Sequence, residues 1–165
     1  MINYKVIDNF LNKDDFEMVK SSIEHVDFPW YYTDQVAEKN IKSQNYKFYL
    51  AHICYVDSKP TSKLWYDIGQ IFFNKLKMKS IIRMKVNFFP NQGLFKQYDS
   101  HTDTTYEHKG AVFSLNTCNG YTILNDGTKI DSIENRMLLF NPSIKHASTN
   151  TTNAVRRLNI NFNYF

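Results

Sequence analysis

From Ile81 to the C-terminus the sequence never sustains a helical apolar period. It is cut into short β-prone segments, 81–89, 110–117, 121–124, 128–130, 136–140, 144–148 and 156–164. Turn-forming stretches divide them: Pro90-Asn91-Gln92-Gly93, Cys118-Asn119-Gly120, Asn125-Asp126-Gly127 and Asn141-Pro142. Asp126-Gly127 between two such segments is a hairpin signal. The last segment says most, because Arg157, Asn159, Asn161 and Asn163 alternate with Leu158, Ile160, Phe162 and Tyr164. Side chains on a strand point alternately to opposite faces, so this strand has one polar and one apolar face. Many short strands, one of them lying between an apolar layer and a polar interior, predict a mainly β chain closed as a double-sheet barrel or jelly roll.

The first half supplies the apolar layer. Residues 4–7 alternate as a short strand would, and Asp14 or Asp15 is placed to cap a helix with Phe16, Val19 and Ile23 at helical spacing. Ser62 is placed to cap a second helix running to about Met78, with Leu64, Trp65, Ile68, Ile71, Phe72 and Leu76 on one face. Both helices are expected to brace one sheet. Between them, Pro29 to His52 reads as an aromatic irregular stretch and then a strand from Tyr46, either a lid over a site or an aromatic filler. With 165 residues, one domain is expected, with 1–80 as helical and loop support and 81–165 as the β core.

Composition excludes several classes. A net charge of +4 is too mild for a dedicated nucleic-acid binder. The basic run Lys75, Lys77, Lys79, Arg83, Lys85 reads as a solvated helix end complementing the dipole, with a phosphate-binding patch as the alternative. Cys54 and Cys118 make neither a disulfide framework nor a metal-type pair, which fits a reducing, cytoplasmic setting. Neither a signal peptide nor a membrane-spanning apolar run is read from the sequence.

Against this scaffold stands one polar constellation. His101 and Asp103 are two apart, so on a strand both would project from the same face. His-x-Asp alone is a common chance pattern, but His146, in the separate segment 144–148, can complete a set of two imidazoles and one carboxylate. Such a set leaves positions open on a metal and suits Fe(II) oxygen chemistry, with zinc as the alternative. Ten residues separate His146 from Arg157, enough for a turn and a return strand. An inward Arg157 needs an anion, and a dicarboxylate held by the guanidinium fork supplies one, with Arg156 then outward; the reverse assignment of the two arginines stays open. Tyr98, three residues before His101, is placed at the mouth of the site as a contact to substrate or water, or is an aromatic plug. His25 and His108 read as surface residues, and His52 as core- or loop-facing.

At these residues the chain resembles the 2-oxoglutarate and Fe(II)-dependent oxygenase superfamily, whose pattern is His-x-Asp, a gap, His, about ten residues, Arg. Tyr98-x-x-His101-x-Asp103, Ser114-Leu115-Asn116, Asn119-Gly120-Tyr121-Thr122, Asn135 to Phe140 and Arg157-x-x-Ile160-Asn161-Phe162 fit in order. It most resembles the prolyl 4-hydroxylase-like branch, in particular its small single-domain bacteriophage members. The resemblance implies a double-stranded β-helix with Fe(II) on His101, Asp103 and His146. It implies 2-oxoglutarate anchored by Arg157, O2 as oxidant, ascorbate as accessory reductant, and hydroxylation of an unactivated C–H bond with succinate and CO2 as co-products. Ser114 stands where many relatives have a cofactor-binding tyrosine, so Tyr98, Asn161 or a water is expected to substitute. Phe89-Pro90 likewise stands in place of a Tyr-Pro. A protein or peptide substrate is the expected partner. The alternatives are a small molecule or nucleobase, and, from another class, a non-catalytic cupin-like or virion-associated module.

Overall fold

The computed structural model describes residues 4–33 and 48–165. Strand β1 (Lys5–Ile7) leads into helix α1 (Lys13–Glu24). The helix is capped by Asn12 rather than by Asp14 or Asp15: the Asn12 side chain accepts from the Asp15 backbone at 2.8 Å and donates to the Asp15 carboxylate at 2.9 Å. The two aspartates sit in the first turn, where the helix dipole favours negative charge. Phe16, Val19 and Ile23 are buried, as their spacing predicts.

Strand β2 (Tyr31–Thr33) stands where a loop is expected, and β3 (Tyr49–Val56) and β4 (Lys59–Pro60) follow. Of the stretch read as a lid, residues 34–47 lie outside the described residues. The second helix is shorter than its apolar pattern suggests. Ser62 does accept from the Leu64 backbone, but the chain first winds through a wide π-helical turn, Trp65–Gly69, and only Gln70–Lys75 forms α2. A Cβ at Gly69 would overlap the Trp65 ring, so the absence of a side chain there lets the indole fold back onto the turn.

The β half follows its expected segmentation: β5 (Ile81–Pro90), β6 (Lys109–Ser114), β7 (Tyr121–Leu124), β8 (Lys129–Asp131), β9 (Arg136–Phe140), β10 (His146–Ser148) and β11 (Arg156–Tyr164). Gly127, with φ +85°, closes the β7–β8 hairpin. The large sheet runs β1-β9-β6-β11-β5-β3-β2 with β4 beside β3, and a small sheet runs β10-β7-β8. All paired strands are antiparallel.

Alternation along β11 divides the molecule into layers. Leu158, Ile160, Phe162 and Tyr164 join one apolar core with Phe16 and Val19 of α1 and with Ile68 and Phe72. Phe72 lies 4.7 Å from Phe162 and 5.1 Å from Phe113 between ring centroids. Burying each such side chain contributes roughly 1.5–3 kcal/mol, so this layer anchors β11 and thereby fixes its opposite face. Arg157, Asn159, Asn161 and Asn163 are all buried on that opposite face, turned toward the small sheet. Among the described residues no helix is long and apolar enough to cross a membrane.

Candidate metal centre

The two histidines meet through their backbones. The His101 N–H donates to the His146 carbonyl and the His146 N–H to the His101 carbonyl, each at 2.9 Å. This lone bridge ties the irregular segment around 99–103 to the start of β10. His101 and Asp103 therefore do not share a regular strand face; the Asp103 N–H instead donates to the Pro142 carbonyl at 2.9 Å. The outcome nevertheless brings one ligand atom each from His101, Asp103 and His146 within 4.8 Å of one another.

Each histidine has its tautomer set by a carbonyl, which can only accept. His101 Nδ1 lies 3.2 Å from the Asp99 carbonyl and His146 Nδ1 lies 3.0 Å from the Ile144 carbonyl. Both Nδ1 atoms carry the proton, which leaves both Nε2 lone pairs for a cation. Burial holds the His146 pKa below its ordinary value, keeping the ring neutral. Asp103 is held by its neighbours: Oδ2 accepts from Asn163 Nδ2 at 2.8 Å, and Oδ1 lies 3.2 Å from Arg83 Nη2 and 3.6 Å from His101 Nε2. Burial alone would raise its pKa, but the Arg83 charge and the Asn163 hydrogen bond keep the carboxyl well below the usual range. Two imidazoles with Nε2 turned to the cluster and one ionised carboxylate, with outer partners in place, form a donor set that fits a divalent ion.

Asn163 is itself held. Its Nδ2 lies 2.8 Å from His108 Nε2, so one amide proton serves Asp103 and the other serves His108. His108, expected at the surface, is buried, and its Nδ1 donates to the Tyr106 carbonyl at 3.0 Å. His25 is exposed as expected, and His52 is buried against the Pro29 carbonyl.

Beside the cluster a cavity opens between the sheets. The β5–β11 register sets Phe89 opposite Arg157, Asn87 opposite Asn159, Lys85 opposite Asn161 and Arg83 opposite Asn163, and directly opposed residues share a face. Thr122 and Ser148, partners across β7 and β10, line it from the small sheet. Arg83 and Lys85 are therefore cavity residues, not part of a solvated basic run.

Arg157 points inward with 1% of its surface exposed, while Arg156 turns outward onto Glu24 at 2.7 Å. Arg157 Nη1 donates to the Ser148 hydroxyl at 2.6 Å and to the Thr149 carbonyl at 3.0 Å, and Nη2 donates to Thr122 at 3.0 Å. Burial lowers its pKa to about 10, which still leaves it charged at neutral pH. Its Nε is buried with no hydrogen-bond partner among the described residues. Gly120 makes room for its arm, since a Cβ there would come within 2.6 Å of both Arg157 Cδ and the Asn150 carbonyl. A buried guanidinium whose two Nη groups stand behind the Ser148 and Thr122 hydroxyls on the cavity wall places positive charge where the carboxylate of an organic acid would be met.

Of the other expected site residues, Asn161 lines the cavity and accepts from Arg83 at 3.4 Å. Of the two places open to Tyr98, site mouth or aromatic plug, its contacts are those of the plug: its hydroxyl donates to the Phe48 carbonyl at 3.1 Å, and its ring packs against Tyr49 and Phe89. Burial pushes that hydroxyl up to about 12, away from proton transfer near neutral pH. Ser114, opposite Asn159, is buried but is not on the cavity wall; from β6 it is Val112 that reaches it.

No family model matches the sequence, and no curated protein is similar to it. Solved structures do match across nearly the whole chain. A prolyl hydroxylase from Trichoplax adhaerens, in complex with a hypoxia inducible factor peptide fragment, superposes with TM-score 0.69 at 17% identity, over 98% of this chain and 83% of that one. A 2-oxoglutarate-Fe(II) oxygenase family oxidoreductase from Burkholderia pseudomallei gives 0.68 at 12% identity, over 98% and 84%. The viral collagen prolyl hydroxylase from Paramecium Bursaria Chlorella virus-1, in complex with 2-oxoglutarate, gives 0.60 at 14% identity, over 97% and 94%. The fold is that of the 2-oxoglutarate and Fe(II) oxygenases, a double-stranded β-helix braced by helices on one sheet. Prolyl hydroxylases are among the solved structures that share this fold.

Proposed function

We propose that the chain is a 2-oxoglutarate- and Fe(II)-dependent dioxygenase that hydroxylates an unactivated C–H bond. One observation carries this reading: His101, Asp103 and His146 converge within 4.8 Å at one side of a cavity that has Arg157 behind its wall. His101 Nε2, His146 Nε2 and an Asp103 oxygen would hold the metal, and Arg157, with Ser148 and Thr122, would hold the far carboxylate of the organic acid. When bound, metal and co-substrate together supply the oxidising power for C–H hydroxylation, with O2 as oxidant and succinate and CO2 as products. The chain's own part is to bind and orient. Asn163 keeps one Asp103 oxygen occupied so that the carboxylate cannot swing, and the Asp99 and Ile144 carbonyls hold the imidazoles in their ligating tautomer.

A second cavity, of about 410 Å³, reaches the cluster from outside and shares Arg83 and Asp103 with the inner one. Tyr106 and Phe165, stacked at 6.1 Å, stand on its wall. That volume accommodates a side chain rather than a lone water, which together with the prolyl hydroxylase likenesses supports a peptidyl residue as substrate. The experiment is anaerobic loading with Fe(II) and 2-oxoglutarate, then admission of oxygen and assay of succinate. Wild type is expected to form succinate, whereas His101→Ala and Asp103→Ala lose metal binding and turnover together. Variants that keep both at wild-type levels would refute the assignment.

A further inference from the structure

Lys85 is a charged side chain that neither the metal set nor the Arg157 anchor uses. It projects from the middle of β5 into the cavity, and its one hydrogen bond among the described residues is to the Tyr49 hydroxyl at 3.3 Å. Among the described residues the carboxylate that attracts it is Asp103, which is already engaged by Arg83, Asn163 and His101. A cation in such a place calls for an anionic ligand.

The wall beneath it suggests which anion. Tyr49 and Phe89 stack with centroids 5.3 Å apart. Lys85 Nζ stands 5.4 Å from the Tyr49 ring centroid, and the Arg157 guanidinium stands 5.6 Å from the Phe89 centroid. Two cations thus sit over neighbouring rings. Four C–C bonds of about 1.5 Å in extended form put the carboxyl carbons of a five-carbon diacid about 5 Å apart. A diacid has one anionic group to offer each of the two cations on this wall.

We infer that Lys85 is a second anchor for the organic diacid: it binds the carboxylate at the metal end while Arg157 holds the other. This rests on the reading of the chain as a 2-oxoglutarate-dependent enzyme. Lys85→Met keeps the length of the side chain and removes the charge, and Lys85→Arg keeps the charge. On Co(II)-loaded protein without oxygen, calorimetric titration with 2-oxoglutarate is expected to show about tenfold or greater weakening in Lys85→Met, as for a lost charge-assisted contact. Co(II) affinity should stay within about threefold of wild type, because Lys85 is not in the ligand set.

A second readout separates binding from a structural role. Burial, and then the repulsion of Arg83, lower the Lys85 pKa to about 8. The groups around it are Arg83 on its own strand, Tyr49 on β3, His101 and Asp103 on the 99–103 segment, and His146 on β10; Asn161 opposite is neutral. Wild-type affinity for the diacid should therefore fall as pH rises through about 8 and above, and Lys85→Arg should bind at pH 7 but lose that decline. Should Lys85→Met fail to fold, the flattened profile of Lys85→Arg alone supports the inference and an unchanged decline overturns it. A Lys85→Met protein that binds 2-oxoglutarate within about threefold of wild type also overturns it. If wild type itself binds metal but not 2-oxoglutarate, the functional reading falls with it, a result distinct from wild-type binding that Lys85→Met leaves intact.

Discussion

Replacing Asn163 with alanine removes the group that clamps one oxygen of Asp103. The Asn163 amide donates at 2.8 Å to an ionised carboxylate, and a hydrogen bond to a charged group is worth about 1.5–3 kcal/mol. At 1.4 kcal/mol per factor of ten, Asn163→Ala should weaken metal binding by roughly 10- to 100-fold, the span expected for loss of an outer partner of a metal ligand. The same change strips His108 Nε2 of its donor and leaves a small void, so the fold should also lose about 1–3 kcal/mol. The two effects are separable. Co(II) affinity is measured by competition against a chromophoric chelator, and stability of the metal-free protein by thermal melting. His108→Leu supplies the control: it removes only the far acceptor, so stability should fall as in Asn163→Ala while metal affinity drops less. Wild-type Co(II) affinity in Asn163→Ala, with melting lowered as expected, would show that the contact is only structural.

Three other perturbations test neighbouring parts. Gly120→Ala puts a methyl into the arm of Arg157, so 2-oxoglutarate binding should weaken by an order of magnitude or more while Co(II) binding holds, read by the same titrations. Lys85 has a folded pKa near 8 against an ordinary 10.5, so between these values the unfolded chain binds the extra proton and metal-free wild type should gain stability with rising pH. That gain is fully present only above about 10.5 and is lost as pH falls through 8. It is at most about 3 kcal/mol, less what cavity water screens, and should vanish in Lys85→Met when melts at pH 7.5 and 10 are compared. Phe72→Ala, which empties the contact between α2, Phe113 and Phe162, should cost about 3–5 kcal/mol in denaturant unfolding without changing the metal's spectroscopic environment.

What could be read from the sequence follows how local each determinant is. The β11 alternation is a period-two pattern within nine residues, and it separates an apolar from a polar face; which arginine turns inward is settled by the burial of Arg157 and the pairing of Arg156 with Glu24. The metal set could be read because its residue types have few other uses together, even though the regular strand expected under His101 and Asp103 is absent and a lone bridge to His146 does the positioning. Tyr98 was read by its distance in sequence from His101, but the direction of a side chain in an irregular segment depends on what lies opposite, here the Phe48 carbonyl. His108 has no partner at metal spacing in the sequence and so reads as a surface residue, and nothing nearby in sequence shows that Asn163 would close over it.

The basic run misled for a related reason. Taken with Lys75, Lys77 and Lys79, the residues Arg83 and Lys85 continue a charged stretch past a helix end. Taken with Asn87 and Phe89, they form the same two-residue alternation as β11, against Met84, Val86 and Phe88 on the other face. Met84 and Val86 are fully buried and Phe88 packs against the same core, so the charged row of β5 has only the cavity to enter. Two adjacent strands with apolar residues on the helix side and cations and amides on the other build a polar interior in which Asp103 meets Arg83, while Lys85 and Arg157 have no such ion pair among the described residues. Arg157 beside Phe89 and Lys85 beside Tyr49 are the two cations of that interior, and a ligand with an anionic group at each end would meet both.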